Sequence, residues 1–396
     1  MSDEVDFITK STEVPPLPKE SISNALKVLN SGKLFRYGEN NADGMYASQL
    51  ETMFAEMIGS KFAIALNSGG SAIYIALKSA GILENETVAL NAFTLAPVPG
   101  ALENAGAQVL LLDVNANLTL GVEDLEEKLR IGNTKALVLS HMRGHIGRID
   151  EIERICKQLG IILIEDCAHA MGAMYDDRMI GTFGDIGCFS FQTYKQVNAG
   201  EGGILVTDDP DIAAKAILYS GSYLLYNQHT NRPDEAYFSK HKGKIPNYSL
   251  RMNELCASVL PPQLLQLEER NTRWREIYAL IASGLRHIEG ITPIEVLPGV
   301  LMAPTSIQFH INDTKKIEHI IARAFDLGLK IKWFGSPHAD GFTSNSTHWE
   351  YLSDFSTISP NLAGLCDIRL PVTLSDDQCR HIVQIIASSV GADIHE

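Results

Sequence analysis

The chain has 396 residues, of which 45% are hydrophobic and 20% are charged, as is typical of a globular protein with a large core. The formal net charge is −15, so nonspecific binding of nucleic acid is not expected. No apolar run approaches the ~20 residues of a membrane-spanning helix, and no membrane partner is expected.

The sequence also lacks processing signals and paired cysteines. The acidic N-terminus, MSDEVDFITK, has no signal-peptide core. The six cysteines form no CxxC motif, and several of them lie in apolar runs. These patterns favour a cytoplasmic protein with reduced thiols in its core and no metal site.

The first 34 residues are predicted to form an arm followed by a helix. Three prolines before residue 19 favour an extended segment. Residues 20–32 then place Ile22, Leu26 and Leu29 at helical spacing, with Gly32 as a stop signal. The main domain is expected to begin after this helix.

From residue 46 onward, short apolar strands alternate with amphipathic helices. Helices are predicted over residues 46–58, 122–129 and 150–159, and also directly after residue 71. Strands are predicted at Phe62–Leu66, Thr87–Leu90, Gln108–Asp113, Ala136–Ser140, Ile161–Ile164, Ile186–Phe191 and Ile204–Val206. This repetition predicts an α/β fold with a mostly parallel sheet and helices on both faces.

A small polar turn, NSGGS, joins the first predicted strand to a helix and contains Ser68, Gly69 and Gly70. The free amides and the positive end of such a helix face outward, where they can bind an anion such as a phosphate. Because glycine and serine are common before helices, the turn alone is a weak signal.

The most informative stretch runs from residue 161 to residue 209. A buried strand ends in Glu165-Asp166, a second apolar strand leads to Ser190, and Lys195 follows shortly afterwards. The glycine-rich sequence GEGG then precedes another strand. In open α/β sheets, ligands bind at the carboxyl ends of strands, so we expect these side chains to form one site.

These residue types are the ones that pyridoxal 5'-phosphate (PLP) requires. A lysine supplies the amine that forms a Schiff base with the cofactor aldehyde, and Lys195 is the predicted catalytic nucleophile. A buried carboxylate, here Asp166, keeps the pyridine nitrogen protonated so that the ring acts as an electron sink. The phosphate needs backbone N–H groups at a helix start, together with hydroxyl groups.

The C-terminal part is predicted to be a smaller α/β domain, so that the chain divides into residues 1–34, 35–260 and 261–396. Pro261-Pro262 should interrupt a helix that begins near Asn253, before a long helix over residues 263–285. Residues 221–247 are expected to form a long loop, and residues 334–349 suit a substrate wall and a surface loop equally. The further elements are predicted at Thr305–Ile311 and Leu329–Trp333 (strands) and at Lys315–Leu327 and Asp376–Ser388 (helices).

The segment EDCAHAMGAMYDDRMIGTFGDIGCFSFQTYKQVNAGEGG resembles the signature of the DegT/StrS family of PLP-dependent sugar aminotransferases. The resemblance extends from about residue 35 to the end of the chain. It implies the aspartate-aminotransferase fold (fold type I), a three-layer αβα sandwich with a smaller C-terminal domain. It also implies a small-molecule amino donor, a sugar acceptor and a homodimer with shared active sites.

The resemblance also implies roles for individual residues. Substrate contacts would come from Arg36, Tyr37, His141 and Arg251. Arg36 and Tyr37 suit a plain loop equally well, Arg251 also suits a structural role, and His141 fits an active-site wall better than a core position. Cofactor contacts would come from Ser68, Gly69, Gly70, Leu95, Asp166, His169, Ser190 and Lys195, with Ser249 supplied by the partner subunit.

Three positions depart from the family pattern. Gly70 replaces the threonine of the phosphate turn, and Leu95 replaces an aromatic residue that often stacks on the pyridine ring. Ser249 replaces an asparagine that reaches the neighbouring subunit's phosphate. These departures leave open a PLP-binding protein of the same fold without transaminase activity.

The predicted reaction is transfer of an amino group from glutamate or glutamine to a keto or aldehyde sugar, either nucleotide-linked or a sugar acid. The pathway would be amino-sugar, polysaccharide or antibiotic biosynthesis. A PLP-dependent sugar dehydratase is an alternative. Because the dehydratases of this family carry histidine at the position of Lys195, the lysine favours amino transfer. The FRYG and HMRG segments resemble a subgroup that includes enzymes acting on eight-carbon sugar acids.

Overall fold

The computed structural model describes residues 7–38, 45–352 and 358–391. The strands within these ranges are, in chain order, β1 Phe62–Leu66, β2 Thr87–Asn91, β3 Gln108–Leu112, β4 Ala136–Ser140, β5 Ile162–Asp166, β6 Met174–Tyr175, β7 Arg178–Met179, β8 Ile186–Ser190, β9 Gly203–Thr207, β10 Ile291–Pro293, β11 Val300–Leu301, β12 Ser306–Ile311, β13 Lys332–Trp333 and β14 Leu365–Arg369.

The α-helices in the same ranges are α1 Phe7–Lys10, α2 Lys19–Ser31, α3 Tyr46–Ile58, α4 Gly69–Ala80, α5 Pro97–Ala105, α6 Leu125–Ile131, α7 Ile149–Leu159, α8 Pro210–Ser220, α9 Glu235–His241, α10 Glu254–Ser258, α11 Pro261–Leu264, α12 Leu267–Leu285, α13 Ile317–Asp326, α14 Pro360–Ala363 and α15 Asp376–Val390.

Seven strands form the main sheet in the order β1-β9-β8-β5-β4-β2-β3. Strand β9 runs antiparallel to both of its neighbours, and the remaining pairs are parallel. Because its apolar side chains alternate between two faces, the sheet needs cover on both sides. One face packs against Leu50, Phe54 and Ile152, and the other packs against Ile73 and Leu102. The predicted three-layer αβα sandwich is confirmed.

The C-terminal part contains a separate antiparallel sheet in the order β10-β12-β14-β13. Its core includes Trp274 and Ile277 of α12 and residues of α13 and α15. The N-terminal Phe7 belongs to this same core, so the start of the described chain packs on the smaller unit. The predicted smaller α/β unit is therefore present, whereas the exact boundaries at residues 34 and 260 stay predictions.

The apolar stripe of α2 faces outward. The helix covers Lys19–Ser31 and ends at Gly32, in agreement with the sequence pattern. However, Ile22, Leu26 and Leu29 are each about half exposed, at 49%, 53% and 52%. The helix packs inward through Ser21, which donates to the Val259 carbonyl at 2.8 Å. Helical periodicity identified the helix but not the face that it buries.

Several predicted elements differ from the structure. The segment before residue 19 is predicted to be extended, but it contains the short helix α1, Phe7–Lys10. The strand predicted at Leu329–Trp333 is reduced to β13, because the Leu329 N–H donates to the Ala324 carbonyl at 2.8 Å and so closes the end of α13. Residues 221–247 are not a simple loop, since they contain a 3-10 turn at Tyr226–Gln228 and the helix α9. The rings of Tyr226 and Phe238 stack with their centroids 4.1 Å apart and hold these two pieces together.

The predicted interruption at Pro261-Pro262 is confirmed, since α10, α11 and α12 are three separate helices there. Within the described ranges, no helix combines the length and apolar character that crossing a membrane requires.

Candidate active site

The Asp166 carboxylate lies at the carboxyl end of β5 and is held by two donors. Its Oδ2 accepts a hydrogen bond from the Ser140 hydroxyl at 2.6 Å, and its Oδ1 accepts one from the Ala168 N–H at 3.1 Å. Ser140 ends the neighbouring strand β4, directly opposite Asp166 in the parallel register. The side chain is 5% exposed, so the carboxylate is fixed in a mostly dry environment.

The preceding acid, Glu165, points away from Asp166 because successive side chains alternate across a strand. It accepts backbone N–H bonds from Gly181, Phe183 and Gly184 at 2.9, 2.8 and 2.7 Å. It also pairs with Nε2 of His141 at 3.0 Å. Both carboxylate oxygens are therefore engaged in holding the turn before β8.

His141 is consequently a buried partner of Glu165, and its side chain is 2% exposed. Its backbone N–H donates to the Asp166 carbonyl at 3.0 Å, which places it behind the carboxyl edge of β5. The ligand atoms of His141, Glu165 and Cys167 lie within 4.8 Å of one another. The Glu165 oxygens already accept backbone hydrogen bonds and pair with His141, so hydrogen bonding explains why these three side chains lie close together.

The Lys195 amine lies 2.9 Å from Nε2 of His169. Burial, with Arg143 acting in the same direction, lowers the pKa of Lys195 to about 7, although the nearby Asp166 carboxylate opposes this shift. Burial and the Lys195 charge lower the pKa of His169 well below its ordinary value, so this ring is neutral. The second ring nitrogen of His169, Nδ1, is buried and has no hydrogen-bond partner.

The N-terminus of α4 touches the end of β8 and the start of β9. Ser68 is the N-cap, and its Oγ accepts from the Ser71 N–H at 3.0 Å. A Cβ atom on Gly69 would lie 2.9 Å from Cβ of Ser190, and one on Gly203 would lie 2.2 Å from the Ser68 carbonyl oxygen. Only glycine allows these approaches, which bring the first amides of α4 next to Ser190.

Gly70 and Leu95 are the two other predicted cofactor contacts in this region of the chain. Gly70 occupies the first turn of α4, and a Cβ there would meet Cβ of Pro97 at 3.6 Å, an ordinary contact distance. Leu95 is half-buried and packs against the cluster that contains Phe93 and Phe334. Phe93 is 1% exposed and is therefore a core residue.

Arg36 and Tyr37 belong to a separate buried cluster. One amine of Arg36 donates to Glu51 at 2.7 Å, and the Tyr37 hydroxyl lies 2.9 Å from Nε2 of His229. Arg36 is 1% exposed, and its Nε and Nη1 atoms have no hydrogen-bond partner. None of the described contacts of Arg36 or Tyr37 involves Lys195, His169 or Asp166.

Arg251 and Ser249 lie on a segment that passes the residues before the α4 turn, since Arg251 forms a backbone bridge with Leu66 and the Leu250 carbonyl accepts from the Asn67 N–H at 2.8 Å. The Arg251 guanidinium lies 4.9 Å from the ring centroid of Phe35 and 5.2 Å from that of Tyr223. Ser249 is exposed and adopts φ of 56°, and its hydroxyl lies 3.2 Å from the Asn247 side-chain oxygen. The structure thus gathers Lys195, His169, Asp166, Ser190 and the α4 turn. Of the four substrate candidates, His141 hydrogen-bonds to the backbone of Asp166 and Arg251 pairs with the strand that leads into the α4 turn, whereas the described contacts of Arg36 and Tyr37 do not reach this group.

Several residues near Lys195 were missed by sequence reasoning. Arg143 follows β4, Lys332 lies in β13, and Asp367 and Arg369 lie in β14. Gln196 connects the two parts of the molecule, since its Nε2 donates to the carbonyls of His169 and Ala303. The HMRG segment contains Arg143 and could have pointed to it. The charged residues Lys332, Asp367 and Arg369 lie in strands, where a charged side chain is usually solvated, so the sequence pattern contains no signal for them.

The segment at residues 334–349 approaches the same place. The ring of Phe342 lies 6.2 Å from that of Tyr194, the residue before Lys195. The Phe342 carbonyl accepts from Arg143 at 3.5 Å, and the ring of Phe342 is 48% exposed. Of the two interpretations open from the sequence, these contacts favour the substrate wall.

A family model described as the DegT/DnrJ/EryC1/StrS aminotransferase family matches residues 17–326. The chain is 31% identical over 285 residues to the spore coat polysaccharide biosynthesis protein SpsC of Bacillus subtilis (strain 168), covering 71% of this chain and 70% of that protein. It is 31% identical over 238 residues to GDP-perosamine synthase of Escherichia coli O157:H7, covering 60% of this chain and 62% of the relative, which is less than two thirds of its length.

The crystal structure of 3-amino-5-hydroxybenzoic acid synthase resembles this chain along almost its full length. The TM-score is 0.79 at 25% identity, and the superposition covers 96% of this chain and 99% of the other. The similarity therefore extends beyond the central motif to both sheets.

Proposed function

The chain belongs to the DegT/DnrJ/EryC1/StrS aminotransferase family, and on that premise we propose that it transfers an amino group from glutamate or glutamine to a keto or aldehyde sugar. It is a PLP-dependent aminotransferase, as the family and its structural neighbours are. Similarity to GDP-perosamine synthase and to a polysaccharide biosynthesis protein supports a sugar acceptor. Amino-sugar or polysaccharide biosynthesis is the corresponding proposed pathway.

The residues present fit PLP on observations of this structure. Nδ1 of His169 is a buried polar atom without a partner, as expected where a ligand completes the hydrogen bonding. The close approach of Gly69 to Ser190 forms a cradle at a helix N-terminus, which suits a phosphate. We propose that Ser68, Gly69 and Ser190 hold the phosphate and that Asp166 faces the pyridine nitrogen.

The observation that carries the proposal is the buried Lys195 amine, which lies 2.9 Å from Nε2 of His169 and near the fixed Asp166 carboxylate. When bound, PLP supplies an electron-accepting ring conjugated to the carbon at which a proton is gained or lost. Lys195 supplies the nucleophilic amine and then moves a proton at the α-carbon of the amino donor, first as base and then as acid. A pKa near 7 suits both directions, because either protonation state is accessible at neutral pH.

His169 and Asp166 position these groups. Neutral His169 engages the Lys195 amine at 2.9 Å and so restricts its direction without adding a charge. Asp166 is held by Ser140 and the Ala168 N–H and can keep one orientation throughout the reaction. We propose that the residues of the 334–349 segment, including Phe342, border the sugar.

The proposed reaction is tested by mixing the purified, PLP-loaded protein with L-glutamate. We expect the visible absorbance of the loaded protein to bleach, with one 2-oxoglutarate released per site, and a keto sugar to restore the absorbance as it becomes aminated. Product analysis by mass spectrometry separates amino transfer from dehydration of the sugar. A loaded protein that responds to neither glutamate nor glutamine would contradict the proposal.

The cradle gives a matched pair of glycine substitutions. A Cβ atom in Gly69→Ala would lie 2.9 Å from Cβ of Ser190, so α4 must move away from the end of β8. Gly70→Ala meets only ordinary contacts and favours the helix. We expect Gly69→Ala to weaken PLP binding by at least about tenfold, corresponding to the loss of one charge-assisted hydrogen bond, with Gly70→Ala close to wild type.

The dissociation constant of PLP, measured by absorbance titration, checks this expectation. Equal affinities in the two variants would show that the close approach of Gly69 to Ser190 has no role in holding the phosphate.

A homodimer with shared active sites remains part of the proposal. It is supported by an exposed apolar patch, which we define as Ile22, Leu26, Leu29, Leu34, Phe35, Tyr223 and Leu224. These side chains are 43–59% exposed. Arg251 connects Phe35 with Tyr223, and exposed Ser249 lies two residues before it, where a second subunit would meet it. The proposed substrate roles of Arg36, Tyr37, His141 and Arg251 stay predictions.

A cytoplasmic location is likewise proposed, and it is supported by cysteine chemistry. All six cysteines are free thiols, and five of them are buried. Unpaired cysteines are usual in reducing compartments.

A further inference from the structure

A group of basic side chains lies beside Lys195 with too little negative charge to balance it. Arg143, Lys332 and Arg369 come from three different elements. Within the described ranges Asp367 contacts Arg143 and Lys332, and its charge also acts on Arg369. Lys332 lies directly opposite Asp367 in the β13–β14 register, and Arg369 is two residues further along the same strand face. Three positive charges thus share one carboxylate.

Asp367 leaves part of this basic group unsatisfied. Nη2 of Arg143 lies 3.4 Å from Oδ2 of Asp367, and Nζ of Lys332 lies 3.7 Å from the same oxygen. Oδ2 makes no hydrogen bond, so neither contact is a closed pair. The Arg143 side chain is 9% exposed, and its Nε atom is buried without a hydrogen-bond partner. A buried donor in this state is a position where a bound ligand or an ordered water can complete the hydrogen bonding.

The backbone places Arg143 in this position at a conformational cost. Its φ and ψ are 58° and 17°, in the left-handed region that residues other than glycine seldom adopt. The segment is fixed on both sides, because the His141 N–H donates to the Asp166 carbonyl and His145 pairs with Gln308 of β12 at 2.7 Å. Strain of this kind concentrates at ligand-binding positions.

This basic group is next to the reacting amine. The positive charge of Arg143 acts on both Lys195 and His169, lowering the pKa of each. The guanidinium of Arg369 stacks 4.1 Å from the ring centroid of Tyr194, the residue before Lys195. Arg369 also donates to the carbonyls of Ser11 and Glu13, so its donors are used within the protein and it adds positive charge to one side of the group. Arg143 and Lys332 retain donors that a ligand can use.

We propose that Arg143 and Lys332 form a carboxylate-binding subsite beside Lys195, which holds the carboxylate of a substrate during amino transfer. The use of the subsite rests on the proposed function. The planar fork of arginine suits a carboxylate, and the amine of Lys332 adds a second charge. The carboxylate comes either from the amino donor or from an acid group on the acceptor sugar.

The phosphate of PLP does not account for this group. Its proposed cradle is built by the start of α4 and the end of β8, whereas the subsite is built by the turn after β4 and by β13 and β14 of the smaller unit. None of the described contacts of Arg143 or Lys332 involves Ser68, Gly69 or Ser190.

Binding of glutarate, a five-carbon dicarboxylate without an amino group, tests the subsite directly. Calorimetric titration uses the PLP-loaded protein, so that the phosphate cradle is already filled, and is repeated on PLP-free protein. We expect Arg143→Met and Lys332→Met each to weaken glutarate binding at least about tenfold. Lys330→Met removes the same charge from an exposed position two residues from Lys332 and should bind like wild type.

Two results overturn the subsite. One is unchanged glutarate affinity in both Arg143→Met and Lys332→Met. The other is a wild-type protein that binds inorganic phosphate but not glutarate. Two variants on separate elements are used, so that misfolding of one of them does not decide the outcome.

Half-reaction kinetics distinguish the two sources of the carboxylate. A higher KM for glutamate at an unchanged maximal rate in Arg143→Met assigns the subsite to the amino donor. A higher KM confined to acidic acceptor sugars, with neutral sugars unaffected, assigns it to the acceptor. If the protein transfers no amino group while glutarate binding responds as expected, the proposed function fails and the subsite stands. If the protein transfers an amino group but neither variant changes glutarate binding, the subsite fails and the proposed function stands.

Discussion

Lys195→Ala is expected to abolish amino transfer, with a loss in rate of at least about 10⁴-fold. The substitution removes the nucleophilic amine and the proton carrier together, and no other lysine is in contact with His169 in the described part of the chain. The rate of 2-oxoglutarate formation from glutamate measures the effect. Absorbance of the PLP complex provides a second readout, because the visible band of the loaded protein should not form.

Lys157→Ala is the matched control, since Lys157 is the same type of residue on a side chain that is 72% exposed on α7. It should retain the wild-type rate. A Lys195→Ala protein that keeps full turnover would refute the proposed role of this residue.

The wild-type protein should also show the low pKa of Lys195 in its reaction with free PLP. Only the neutral amine is nucleophilic, and burial lowers the pKa of Lys195 from 10.5 to about 7. The rate of PLP capture should therefore increase as the pH rises through about 7 and level off above it. A rate that continues to rise toward pH 10 would mean that the amine has an ordinary pKa.

Asp166→Asn is expected to lower the rate of amino transfer by about 10²–10³-fold, the scale of losing one preorganised electrostatic contact. The amide has nearly the same size and can keep the Ser140 hydrogen bond, so the change removes charge rather than packing. A neutral partner cannot hold a proton on the pyridine nitrogen, and the ring becomes a weaker electron sink. Single-turnover rates with glutamate measure this loss separately from PLP affinity.

Two further variants show whether a loss in Asp166→Asn comes from its charge or from its hydrogen bonds. Ser140→Ala removes one donor to Asp166 but leaves the charge, and a loss of about tenfold or less is expected. Asp177→Asn removes a charge from the exposed turn between β6 and β7 and should have no effect. If Asp166→Asn reacted at the wild-type rate, the carboxylate at the end of β5 would not be the partner of the cofactor.

The sequence determined the large sheet and its helices because strands that are buried on both faces need continuous apolar runs. The predicted strand at Ala136–Ser140 matches β4 residue for residue, and the one at Phe62–Leu66 matches β1. The same logic located Asp166 and Lys195, because both lie at strand ends within a long and specific motif.

Periodicity could not choose between faces that differ only in tertiary surroundings. The apolar spacing of Ile22, Leu26 and Leu29 identified α2, yet these side chains point outward. Likewise, Arg36 and His141 are polar residues near family motifs, but each is buried with a fixed acidic partner. Partner choice depends on residues distant in sequence, such as Glu51 and Glu165, and a linear pattern does not contain that information.

The sequence by itself determined the α/β fold, and it predicted the site roles of Lys195, Asp166 and the NSGGS turn because each lies at or shortly after the end of a strand. The close approaches of Gly69 to Ser190 and of Gly203 to Ser68 came from the tertiary structure. Only the tertiary structure brought Arg143 of the large sheet together with Lys332 and Asp367 of the smaller one. Their shared charge arises from the packing of two sheets that are far apart in the chain.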